Sequence, residues 1–299
     1  MMHRLFRLAV SASVIALLFA VIDLSELAAR LRGADLRWLA VSVTGIAAIT
    51  CLAAVRWAWV ARELGLRLGY RRALREYFVA GLVNQVVPGG IVGDVARALR
   101  LTHSGDLRRA AQSVVVERVI GQVTTLAVLA GGLAVSLAVP GGIVWPWWTG
   151  WGVVLLVIFA AALIVRRDVD PSRSAFFAPL WSALCDHRQI ALALLILLLL
   201  NFSFYASARA VGTDLPPAAF FTVIPLVLTA MMIPLSIGGW GWREGAAAAL
   251  FPLAGATAAE GVATGIVYGA SMLIAALPAA LFLFHDVREP DAEHLTKPT

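Results

Sequence analysis

Of the charged side chains that fall inside or against apolar runs, six carry the candidate chemistry: Asp94, Arg97, Glu117, Arg118, Arg243 and Glu244. An ionised group at the centre of a bilayer costs about 2.5–3.5 kcal/mol if it has no partner, so each must find one. Consecutive helical residues point about 100° apart, so Glu117 and Arg118 cannot simply neutralise each other and must reach different neighbours. Arg97 or Arg100 is the natural partner for Glu117, and Asp94 for Arg118. The alternative is that Glu117 and Arg118 snorkel to an interface. Every acid of this set stands close to an arginine, which favours anion binding over metal chemistry or acid–base work. Neither glycine-rich turn fits a nucleotide fingerprint, and the acids Asp168, Asp170 and Asp186 lack the spacing of a calcium loop. Cys51 and Cys185 are expected to form no disulfide and hold no metal. No cofactor is implied.

Residues 84–100, N-Q-V-V-P-G-G-I-V-G-D-V-A-R-A-L-R, carry the densest chemistry. Pro88 removes a backbone donor and Gly89-Gly90 weakens a helix, so a helix arriving from Tyr77 ends here and a new one begins near Asp94, which is suited to an N-cap. Broken backbone at membrane depth is tolerated only against protein or a water-filled cavity, which makes the break a candidate substrate site. Residues 234–250, P-L-S-I-G-G-W-G-W-R-E-G-A-A-A-A-L, repeat the pattern. Aligning Gly90 with Gly239 sets Asp94 against Arg243. The expectation is that these opposite charges approach each other in a shared polar cavity with Arg97, Arg118 and Glu244 nearby. The structural alternative pairs Arg243 with Glu244.

The elements that must position these groups follow from composition. With 299 residues, 61% hydrophobic and 14% charged, and a mean hydropathy of +0.85, the chain has too little polar surface for a soluble globule. It reads as an all-α polytopic membrane protein. Apolar runs near 5–22, 36–60, 111–138, 145–165, 189–211 and 258–285 are each close to the roughly 20 residues a span requires. The interrupted stretches 77–101 and 218–253 read as two re-entrant hairpins of broken helix. Three spans separate the hairpins, so they enter from opposite sides, an inverted repeat with halves at about 36–138 and 189–285 inside one domain of residues 1–286. A short polar tail, 287–299, follows. Arginines gather at 62–75, 97–109 and 166–188, while the loops at 139–144, 212–217 and 254–259 carry no Lys or Arg, which puts both termini in the cytoplasm. Arg30, Arg32 and Arg37 run against that assignment. Arg56-Trp57-Ala58-Trp59 reads as an interfacial anchor, residues 61–76 as an amphipathic helix on the cytoplasmic face, and Trp145, Trp147 and Trp148 as an outer belt. The formal charge of +6 is carried by loops that suit anionic lipid headgroups, not nucleic acid.

Three ordered motifs, N-x-x-x-P-G-G-x-x-G-D-x-x-R at 84–97, E-R at 117–118 and P-L-S-I-G-G-W-G-W-R-E-G at 234–245, resemble the flippase-like membrane domain family named after lysylphosphatidylglycerol synthase. The likeness covers nearly the whole chain. It implies transfer of an anionic phospholipid or isoprenoid-linked lipid between leaflets of a bacterial plasma (inner) membrane, with Asn84, Pro88, Gly90, Gly93, Asp94, Arg97, Glu117, Arg118, Gly239, Arg243 and Glu244 as substrate-binding or transport residues. Membrane lipids, with a lipid-modifying enzyme besides, are the implied partners. The competing reading is an integral membrane transferase or accessory protein acting on hopanoids or lipid-linked sugars. Gly121 stands where an acid is often found, and Tyr268 where a basic residue is expected. The soluble aminoacyl transferase domain of the synthases is not expected after residue 286, so the chain reads as a transporter, not an enzyme.

Overall fold

The computed structural model describes residues 24–87, 92–101, 106–139, 143–146, 149, 180, 182–231 and 238–284. In chain order the described helices are α1 (Leu24–Arg32), α2 (Leu36–Glu63), α3 (Tyr70–Val86), α4 (Val92–Leu101), α5 (Leu107–Ala138), α6 (His187–Ala210), α7 (Pro217–Phe221), α8 (Val223–Ala230), α9 (Trp242–Leu250), α10 (Ala258–Ala276) and α11 (Pro278–Phe284). Among the described residues four stretches are long and apolar enough to cross a bilayer: α2, α5, α6 and Ala258–Phe282. They match four of the six expected spans. The expected spans at 5–22 and 145–165 fall largely or wholly outside the described residues, as do the hairpin-tip residues Pro88 and Gly90, Trp147, Trp148 and the tail at 287–299.

Three of the long helices open alike. Asp35, Asp106 and Asp186 precede α2, α5 and α6, and each accepts the backbone N–H of the arginine two residues on, satisfying a donor that a helix start leaves unpaired. Thr257 and Glu260 form a reciprocal capping box at the start of α10.

Helix α2 is the ruler of the fold. It lies antiparallel to α6, because Ser42 Oγ meets Ser207 Oγ at 2.9 Å while Val60 shares an apolar cluster with Ala193. Small residues let the two backbones approach: Gly45 leaves the space that Ser203 Oγ fills. At the C-terminal end of α2, Ala54, Trp57 and Ala61 pack with Ala73 of α3, Ala98 and Leu101 of α4, and Ala110 of α5. Helices α3 and α4 therefore leave and return at one end of the bundle. At the other end the Asp35 N–H donates to Ala210 O at 2.8 Å, and Ala210 and Val211 cluster with Ala259 and Val262 of α10. The segment from α7 to α9 returns to that opposite end.

Two sequence expectations change here. Residues 61–76 do not form one surface helix: α2 runs to Glu63, Gly65 turns the chain at φ +75°, and Tyr70 begins α3, which continues unbroken to Val86. The left-handed glycine stops α2 with the N–H groups of Leu64 and Gly65 bonded back into its last turn. The arginines at 30–37 are partly accounted for by α1, whose Arg30 pairs with Glu26 and, at 3.0 Å, with Glu260 of α10.

Candidate functional site

The first centre is built where α3 breaks. Helix α3 ends at Val86, Val87 is extended, and α4 restarts at Val92 with Asp94 in its first turn. Asn84 bridges the gap with both ends of its amide. Its Oδ1 accepts the Gly93 N–H at 2.7 Å and its Nδ2 donates to Asp94 Oδ2 at 3.2 Å. Gly93 is a glycine because a Cβ there would run into the backbone of Ala80 on α3. Asp94 thus faces side chains from the third position of the helix, where the sequence admitted a capping role.

From Asp94 a chain of ion pairs runs inward. Its Oδ1 accepts Arg97 Nε at 3.0 Å and its Oδ2 also takes Arg118 Nη2. Arg97 Nη2 donates to Glu117 Oε2 at 2.8 Å, and Glu117 Oε1 accepts Arg56 Nη2 from α2. Glu117 and Arg118 do turn to different partners, and Arg97 is the one that Glu117 finds. The Arg97 guanidinium, 1% exposed, lies 4.3 Å from the Tyr77 ring and 4.6 Å from the Trp57 ring. Two aromatic faces shield and attract the cation. Trp57 is anchored in turn through Nε1 to Ser113 Oγ at 3.0 Å. Glu76 and Arg100 add a separate pair at 2.5 Å.

The second centre sits at the start of α9. Glu244 accepts the Gly241 N–H at 2.6 Å and takes the Arg243 guanidinium through Nε at 2.9 Å and Nη2 at 2.5 Å. Arg243 is fully buried, 4.7 Å from the Trp240 ring and 5.8 Å from that of Tyr268. Three glycines of α10, spaced by four, make room for this. A Cβ on Gly261 would meet the Ala247 backbone, one on Gly265 would crowd Glu244, and one on Gly269 would strike Arg243 Nη2 and the Trp240 ring.

Between the centres lies a cavity of about 750 Å³, lined by Asn84, Gln85, Asp94 and Arg118 on one side and by Gly238, Gly239 and Tyr268 on the other, with apolar walls contributed by α4, α5 and α8. The hairpins touch at its edge. Gly238, at φ +55°, lies so close to Gln85 that a Cβ on it would come within 2.6 Å of Oε1 and 3.0 Å of the Gln85 main chain.

The family described as the lysylphosphatidylglycerol synthase TM region matches residues 4–280, which include every residue of both centres and the cavity between them. The chain belongs to that family. No curated protein matches it. As a member of the lysylphosphatidylglycerol synthase TM region family, it is a membrane protein of a lipid-related class.

Of the residues singled out in the sequence, the structure joins Asn84, Gly93, Asp94, Arg97, Glu117 and Arg118 in one network and Gly239, Arg243 and Glu244 in another. The expected meeting of Asp94 with Arg243 does not occur. Each charge is neutralised on its own side, Asp94 by Arg97 one turn on and by Arg118 of α5, Arg243 by the adjacent Glu244. Arg97, Arg243 and Glu244 stand behind the cavity wall; Asp94 and Arg118 form its charged part. Sequence reasoning missed Arg56, Trp57 and Tyr77. An interfacial anchor would hold Arg56 and Trp57 at the surface, yet they are 5% and 0% exposed. The available signal was an arginine two turns before the end of α2, opposite Glu117 on α5. The glycine triplet 261, 265 and 269 was equally legible as a small-residue face.

Proposed function

We propose that the protein carries a lipid with an anionic headgroup, a phospholipid or an isoprenoid-linked lipid, between the leaflets of a bacterial inner membrane. The observation that carries this reading is the cavity itself: one end charged, the walls apolar, a broken helix from each half at its edge. Arg118, whose side chain is 44% exposed, offers its guanidinium to a phosphate oxygen, while the tails stay against the apolar wall formed by residues such as Val95, Leu99 and Val115. Asp94 holds Arg118 in place until a headgroup competes for it.

In the bilayer, the two hairpins are re-entrant and inserted from opposite sides as an inverted repeat, both termini are cytoplasmic, and the halves rock about the contact of Gln85 with Gly238. Binding is favoured over catalysis because both carboxylates of the first centre, Asp94 and Glu117, are occupied by arginines and neither is free to act as a base.

The test is translocation of a fluorescent phospholipid in vesicles reconstituted with purified protein. Arg118→Ala is expected to slow translocation about tenfold or more, in line with the loss of a charge-assisted hydrogen bond of about 1.5–3 kcal/mol, with little change in melting temperature. Asp94→Ala slows it as well and lowers the melting temperature. Wild-type rates in both variants defeat the assignment. Turnover of a lipid-linked donor by the purified protein supports the transferase instead.

A further inference from the structure

The ion network around Arg97 has a closed end that lipid transport does not use. Three guanidiniums, Arg56, Arg97 and Arg118, face two carboxylates, Asp94 and Glu117, so the network carries one excess positive charge. Arg118 is wet and tolerates an incompletely matched charge. Arg56 is not. It is 5% exposed, Glu117 takes only its Nη2, and its Nε and Nη1 are buried without a partner, as is Arg97 Nη1. A buried cationic donor left unpaired is costly, so what lies beside it matters.

What lies beside it is Gly121. A Cβ built on that residue would sit 3.5 Å from Arg56 Nη2 and 3.9 Å from Nη1, with no third heavy atom outside its own helix within 4 Å. A Cβ there would rest in ordinary van der Waals contact with the guanidinium, so position 121 faces Arg56 directly. Gly121 is itself only partly buried.

We infer that a small monovalent inorganic anion, with chloride as the abundant example, binds between Gly121 and Arg56 and completes the charge balance of the network. The anion accepts from Arg56 Nη1 or Nε, replaces the carboxylate that a longer residue at 121 would supply, and locks α2 against α5. Its role is to hold the network in register. Lipid headgroups are handled at the far, cavity end.

The experiment uses the full chain in detergent, exchanged into gluconate and titrated with chloride or bromide at constant ionic strength. Radiolabelled chloride is expected to bind saturably at one ion per chain, and the melting temperature to rise by about 2–4 °C as the site fills. Gly121→Asp supplies the missing carboxylate, so it abolishes binding and the halide response, and melts higher in gluconate than the wild type. Arg56→Gln abolishes binding without a carboxylate at 121. Absence of saturable chloride binding by the wild type overturns the inference even if neither variant folds. A response to inorganic phosphate or to phosphatidylglycerol micelles that halides do not reproduce overturns it too, assigning the same donors to a phosphate oxygen. None of these measurements reads lipid translocation, so chloride binding survives a failed transport assay and the transport reading survives a failed chloride assay.

Discussion

Asn84 shows how much one amide does at a helix break. It accepts from Gly93 and donates to Asp94, so an aspartate, isosteric but without a donor, keeps the first bond and turns the second into a repulsion between carboxylates. Asn84→Asp is expected to lower the melting temperature more than Asn84→Ser, a ranking that thermal melts in detergent measure directly. Glu117 is the harsher case. It is the shared acceptor of two buried arginines, and Glu117→Gln leaves both undercompensated, which costs about 3–5 kcal/mol when a buried pair loses one member. Loss of folded, monodisperse protein on size exclusion is the expected result, and a variant that purifies with wild-type stability counts against the network. At this scale the divergence of Glu117 and Arg118, and the pairing of Arg118 with Asp94, could be read from helical geometry because neighbouring residues must diverge, whereas the choice of Arg97 over Arg100 for Glu117 could not. Arg56 could not, since an arginine followed by Trp57 and Trp59 near the end of an apolar run has the same composition whether it snorkels or turns inward. Only the packing of α2 on α5 separates the two.

Among the elements, α10 owes its close fit to its glycines. Gly261 opposes the main chain of Ala247, which cannot swing away, so Gly261→Ala forces α9 and α10 apart and is expected to cost about 1–3 kcal/mol. Gly131 of α5 has nothing within 4 Å of where a Cβ would go, and Gly131→Ala is expected to be neutral or to stabilise by up to about 1 kcal/mol through helix propensity alone. Melting both variants side by side checks the pair: equal effects would mean that glycine on α10 is incidental. The end of one helix at Val86 and the start of the next at Val92 were visible in the sequence because proline and paired glycines end helices for local reasons. The extent of α2 and the start of α3 were not, since Arg62, Arg67 and Arg71 alternate with leucines in a way that also suits a surface helix, and one left-handed glycine, Gly65, decides where the chain turns.

For the molecule as a whole, aligning the two motifs pointed to equivalent positions in two halves, and residues of both motifs do line one cavity. It did not say which charges would meet there. Equivalence by repeat is a relation of topology, whereas ion pairing is decided over a few ångströms, and Glu244 is nearer to Arg243 than anything in the other half. Where the two motifs meet, the contact is an uncharged seam, Gln85 against Gly238 and, through Nε2, against Met272 Sδ at 3.4 Å. If transport requires the halves to rock about this contact, the two motifs must turn against each other at the seam. Replacing Gln85 and Met272 by cysteine, in a background where Cys51 and Cys185 are serine, and bridging them with a short thiol crosslinker is expected to stop lipid translocation in reconstituted vesicles. Reduction of a cleavable crosslinker restores it. Each single cysteine treated with the same reagent leaves transport running, which separates immobilisation from mere modification of the cavity. Undiminished translocation by the crosslinked protein would mean that lipid passes along a fixed groove, with the hairpins acting as a static polar path and not as moving parts.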